Sequence, residues 1–124
     1  MSYYLSYKNN GYFLTHKGHI TIDEIHEANG LIHGHEEFDS HKYQIIHLLD
    51  ADFSTISQSK SKEPAATDLI ASKTRPNVNV ALVVRETNAI NFCKHYISES
   101  KQGGSQWDFE MFSDLKGALE WCGT

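Results

Sequence analysis

The sequence predicts a single α/β domain ordered β-β-α-β-α-β-α-β-α: a five-stranded, mixed but mostly parallel sheet with four helices. Three observations lead there. The chain opens with alternating apolar residues interrupted by Asn9-Asn10-Gly11, a hairpin signal. Two nearly continuous apolar runs, Tyr43 to Leu49 and Val78 to Val84, suit strands buried on both faces of a parallel sheet. Segments of helical periodicity separate the later strands, which implies right-handed crossovers.

Length and composition agree. The 124 residues fit one domain, taken as 1–124, and 40% are hydrophobic. Sixteen Asp and Glu against 11 Lys and Arg give a formal charge of −5, which disfavours nucleic acid and anionic membrane surfaces as partners. No apolar stretch approaches the ~20 residues of a membrane span. Cys93 and Cys122 lie far apart without Cys-x-x-Cys spacing, so the expectation is a soluble cytoplasmic protein with reduced thiols.

Residues 3–8 alternate Tyr3, Leu5 and Tyr7 with Tyr4, Ser6 and Lys8, and 12–17 resume with Tyr12, Phe13 and Leu14. Thr21-Ile22-Asp23-Glu24 matches a capping box, Thr21 accepting a first-turn N–H and Glu24 reaching back to Thr21. Ile22, Ile25, Ala28 and Ile32 then form one apolar face, and the helix is expected to stop near Gly34. A polar stretch, Ser54 to Lys62, precedes a short helix opened by Pro64 and carrying Ala66, Leu69 and Ile70. Thr87 or Asn88 is expected to cap a third helix with Ile90, Cys93, Tyr96 and Ile97 inward, closed by Gly103-Gly104. Trp107, Phe109 and Met111 mark an outer strand. Ser113 or Asp114 caps a last helix with Leu115, Ala118, Leu119 and Cys122 inward.

This order, from Tyr12–Thr15 through Ile22–Ile32, Tyr43–Asp50 and Val78–Val84 to Phe109–Trp121, resembles the SpoIIAA-like fold of STAS domains and anti-sigma-factor antagonists. The closing segment resembles the end of many bacterial proteins of this group. In signalling members an Asp-Ser-Ser-Gly type motif after the central strand carries a phosphorylated serine. The matching region here, Leu49 to Ser59, holds Ser54 and Ser57 but no such motif and no glycine. The resemblance therefore implies the fold and a regulatory binding role more than the phosphoswitch; some related folds are thought to bind lipophilic ligands.

Ligands of open α/β sheets favour the carboxyl ends of the parallel strands. Asp50 and Asp52 leave one central strand, and Arg85 leaves the other; the N-terminus of the next helix adds free N–H groups. The candidate ligand- or partner-binding residues are thus Asp50, Asp52, Ser54, Thr55, Ser57, Arg85, Thr87 and Asn88. The alternative is an ordinary polar connection with a helix cap.

Other chemistry is poorly supported. His33 and His35 diverge by about 200° on a helix, so with His41 they make no ready metal site. His16 and His19, flanking Lys17-Gly18 at a strand end, read as surface residues. No nucleophile elbow, phosphate-binding loop or dinucleotide fingerprint occurs. Cys93 falls on an apolar stripe, where a thiol is inert. No catalytic residue, metal or cofactor is expected.

The leading expectation is a non-catalytic regulatory module for a protein partner or small ligand. The alternatives are a carrier of a small apolar molecule between helices and sheet, and an enzyme using Asp50, Asp52 or Arg85. Phe92, Tyr96, Trp107 and Trp121 exceed what one small core readily absorbs, so a homodimer surface or an apolar pocket wall is a further expectation.

Overall fold

In the computed structural model, which describes residues 3–124, strand β1 (Tyr3–Lys8) turns back at Asn9-Asn10 into β2 (Gly11–His19). Both asparagines hold positive φ, 54° and 65°, as the twist of a two-residue hairpin requires. The hairpin pairs antiparallel, with Tyr3 opposite His16 and Lys8 opposite Gly11. Three parallel strands follow, β3 (Tyr43–Asp52), β4 (Asn79–Val83) and β5 (Asp108–Phe112), and the sheet order is β1-β2-β3-β4-β5. The predicted α/β order is the observed one.

Helices α1 (Ile22–His33), α2 (Lys62–Thr74) and α3 (Thr87–Gln102) connect the parallel strands in turn. Because the strands advance in one direction, crossovers of one hand place all three helices on the same face. They enclose the larger core, centred on Tyr12, Leu14, Ile32, Val80 and Phe92. The last helix, α4 (Leu115–Trp121), crosses to the opposite face and seats Ala118 against Tyr43, Ile45, Ala81 and Val83. Among the described residues, no helix is long and apolar enough to cross a membrane.

One irregularity shapes the carboxyl edge. Thr15 pairs with His47, but Lys17 pairs with Asp50, so β3 carries one extra residue opposite His16. This bulge resets the side-chain alternation. Ala51 and Phe53 then point into the larger core, while Asp50 and Asp52 emerge beside Lys17 and His19 on the far side. The strand also runs three residues past the expected Leu49.

Several local expectations are corrected. α2 begins at Lys62, with Pro64 already inside its first turn, and its inward side is Pro64, Ala65, Asp68, Ala71 and Ser72. Ala66 and Ile70 are exposed; the helix packs mainly on α3, so small residues and a carboxylate face inward and apolar spacing misreads it. α3 is capped by Glu86, whose carboxylate accepts from the N–H groups of Asn88 and Ala89, not by Thr87 or Asn88. Asp114 caps α4, as one of the two expected residues, but Leu115 in its first turn is exposed.

Of the four aromatics expected to crowd the core, Phe92, Tyr96 and Trp107 are buried together, and Trp121 packs on Phe112 at the α4 face. A 3-10 turn at Phe38–Ser40, which the sequence did not announce, sinks Phe38 beneath Trp107 and makes room for this burial. Three of the four are thus absorbed by the larger core, and Trp121 stays half-buried.

Candidate functional site

The residues expected to form the site lie at one edge but do not converge. Asp52 accepts the backbone N–H of Ser54 in an Asx turn, and Ser54, through its side chain first and its N–H second, holds the Asp52 carboxyl below the usual range. Thr55 meets the His19 ring at 3.1 Å, and Ser57 meets Ser59. Across the edge, Arg85 donates to the Ser113 carbonyl, while Thr87 and Asn88 open α3 behind the Glu86 cap. No hydrogen bond or ion pair among the described residues joins these two groups. The strand order also never reverses, so the crevice that a reversal creates is not formed there.

A denser polar arrangement sits beneath the helices. In β2, alternation puts His16 on the same face as Tyr12 and Leu14, so it is 2% exposed rather than a surface residue. Its Nδ1 lies 2.8 Å from Oε2 of Glu24. Thr21 does cap α1 through the Glu24 N–H, but the Glu24 carboxylate is turned to His16 and buried. Burial holds the His16 imidazole below its ordinary 6.5, against the opposing pull of Glu24. Tyr3 of β1 lies against the same ring.

Asp68 of α2 binds two neighbouring helices at once. His33 Nε2 of α1 is 3.0 Å from Oδ1, and the Tyr96 hydroxyl of α3 donates to Oδ2. Complete burial, and then the negative charge of Asp68, push the Tyr96 phenol well above its ordinary range, so it remains a donor. A third unit begins at the 3-10 turn, where His41 Nδ1 donates to the Phe38 carbonyl. His41 Nε2 in turn faces the Gln44 amide nitrogen at 3.2 Å. His41 is fully buried, and burial also lowers its pKa.

These units border a half-open cavity of about 60 Å³ between the sheet and α1–α3. Leu14, Ile46, Leu82 and Phe92 contribute apolar wall. His16, Asn29, Gln44, Asp68 and Tyr96 contribute the polar positions. The Cys93 thiol also lines it, but burial pushes its pKa to about 12, and a neutral thiol is a poor nucleophile. In this lining His16 bonds through Nδ1 and Gln44 through its amide nitrogen, which leaves His16 Nε2, the Gln44 side-chain oxygen and the Asn29 amide for a ligand. Away from the cavity, the buried His47 Nδ1 and Ser61 Oγ have no hydrogen-bond partner among the described residues. An apolar cleft with a few convergent polar groups is the usual form of a small-molecule site. A broader hollow of about 330 Å³ between Asn10, Lys42, Cys122 and Thr124 is bounded mostly by turn and end residues and has no such convergence.

Among the described residues, no group of three or more His, Cys, Asp or Glu side chains is placed to hold a metal ion. His33 and His35 do diverge, one toward Asp68 and the other to the Tyr12 hydroxyl. The sequence did carry a signal for the pocket: Leu14 and His16 share a strand face, and Asp68 falls on the helical side of Ala65 and Ser72. What hid it was the assignment of His16 to the surface and of Ile70 to the interior.

What the fold and site define is a class: an α/β domain with a mixed sheet, helices on both faces and a polar-lined cavity on one of them. No family model, curated protein or solved structure matches the chain.

Proposed function

We propose that this chain is a non-catalytic binding module of SpoIIAA-like type, acting in the cytoplasm, whose ligand is a small molecule seated between the sheet and α1–α3. The observation that carries this reading is the convergence of His16, Asn29 and Gln44 on an apolar-walled cavity. The buried carboxylates beside it are already engaged by His33, Tyr96 and His16, which suits a scaffold better than acid–base turnover. Two unpaired thiols, Cys93 and Cys122, agree with a reducing compartment.

Screening a library of small aromatic and aliphatic alcohols, amines and acids by amide shift perturbation tests the proposal. Shifts should cluster at Leu14, Gln44, Ile46, Val80 and Phe92. A response restricted to Asp50, Asp52, Ser54, Thr55, Ser57, Arg85, Thr87 and Asn88 would instead favour a second reading, a protein partner at the carboxyl edge. That reading rests on the exposure of Asp50, Asp52, Ser54 and Arg85 along one rim.

A further inference from the structure

Resting on the cavity reading above, we infer that the ligand is an uncharged molecule that presents a hydroxyl group as a hydrogen-bond donor. The argument follows the protons. A carboxylate accepts only, so the Glu24 contact places the His16 proton on Nδ1. The ring is buried and neutral, which leaves Nε2 as a lone-pair acceptor on a ring that lines the cavity.

The same reasoning orients Gln44. The Phe38 carbonyl takes the Nδ1 proton of His41, so the neutral His41 ring accepts at Nε2. Only the amide NH2 of Gln44 can donate there, which turns its carbonyl oxygen into the second free acceptor. Tyr96 spends its proton on Asp68, and both Asp68 oxygens are occupied. The phenolic oxygen keeps a lone pair, a third acceptor.

The pocket is therefore rich in acceptors, and no Lys or Arg among the described residues lines it. A carboxylate or phosphate would meet lone pairs without a counter-charge, and desolvating it would be costly. A ligand hydroxyl satisfies His16 or Gln44, while Asn29 can donate back to the same oxygen. The cavity volume of about 60 Å³ is close to the liquid share of two water molecules, about 30 Å³ each. It accommodates the polar head, with the apolar body extending through the opening.

The test uses the full chain, labelled with 15N, and three probes of similar shape: phenol, anisole and toluene, with benzoate as a fourth. Phenol should perturb the cavity amides, shift the His16 Nε2 resonance upfield, and bind about ten-fold more tightly than anisole, which has an oxygen but no donor. Gln44→Leu should reduce that preference while retaining toluene binding. If Gln44→Leu does not fold, the phenol-to-anisole ratio of the native chain decides alone. Equal binding of phenol and anisole at the cavity, or tighter binding of benzoate, would overturn the donor inference and leave the cavity reading standing. Failure of all four probes to perturb the cavity, as expected if it holds two ordered waters only, would overturn both.

Discussion

Asp68 and Tyr96 stand 28 residues apart, and the Tyr96 hydroxyl donates to Oδ2 of the Asp68 carboxylate inside the helical layer. His33 holds the other carboxylate oxygen, so one side chain on α2 links α1 and α3. α2 has little apolar surface of its own facing the sheet, and this polar clamp compensates for that. Removing the carboxylate leaves the buried Tyr96 hydroxyl and the half-buried His33 ring unpaired. Asp68→Ala should cost about 3 kcal/mol of stability, and Tyr96→Phe about 1 kcal/mol, in urea unfolding followed by circular dichroism. The double variant should fall short of the sum, because both remove the same contact. An Asp68→Ala midpoint equal to that of the native chain would show that the clamp does not hold α2.

The burial of His16 and His41 makes stability depend on pH in a defined direction. Both folded-state pKa values lie below the ordinary 6.5, so around and below that pH the unfolded chain binds more protons than the folded one. The stabilisation is complete above about pH 6.5 and is lost as the pH falls toward the folded values. Urea midpoints should therefore drop between pH 7.5 and pH 5.5. NMR titration should place the His16 and His41 midpoints below 6.5; midpoints at or above it would contradict the burial argument.

Gly11 lies where the first parallel pair begins, opposite Tyr43. A Cβ there would stand 2.2 Å from the Tyr43 ring, a distance no packed pair tolerates. Gly11→Ala must displace a ring that packs under α4 and bonds to the Lys8 carbonyl. The expected loss is about 2 kcal/mol, read from thermal unfolding. In a Tyr43→Leu background the same change should cost much less.

The α3 cap offers a direct check on the corrected boundary. Glu86 accepts from Asn88 N–H at 2.7 Å and from Ala89 N–H at 3.2 Å. Glu86→Ala should destabilise the chain by about 1 kcal/mol, whereas Thr87→Ala and Asn88→Ala should each change it by less than about 0.5 kcal/mol. A larger effect at Thr87 than at Glu86, measured by urea unfolding, would restore the sequence-based boundary.

Much of the architecture was legible because it depends on local patterns. Alternation in Tyr3–Lys8, the positive-φ tolerance of Asn9 and Asn10, and the unbroken apolar runs beginning at Tyr43 and Val78 each name their element without reference to neighbours. The Thr21 cap and the stop at Gly34 are likewise set within a few residues. α2 was less legible. Its inward residues are small or polar, so Ile70 looked like its core position although 69% of it is exposed.

The candidate site divides in the same way. Chain order alone places Asp50, Asp52 and Arg85 at one sheet edge, because parallel strands end on the same side. Composition also sets a formal charge of −5. Tertiary structure decided the rest: that a bulge in β3 turns Asp50 and Asp52 outward, that His16 meets Glu24, and that Asp68 meets both His33 and Tyr96. The Asp68 contacts join helices 28 and 35 residues apart, while His16 and Glu24 sit on consecutive elements. The strength of all three comes from desolvation, which exists only once α1, α2 and α3 have closed over the sheet.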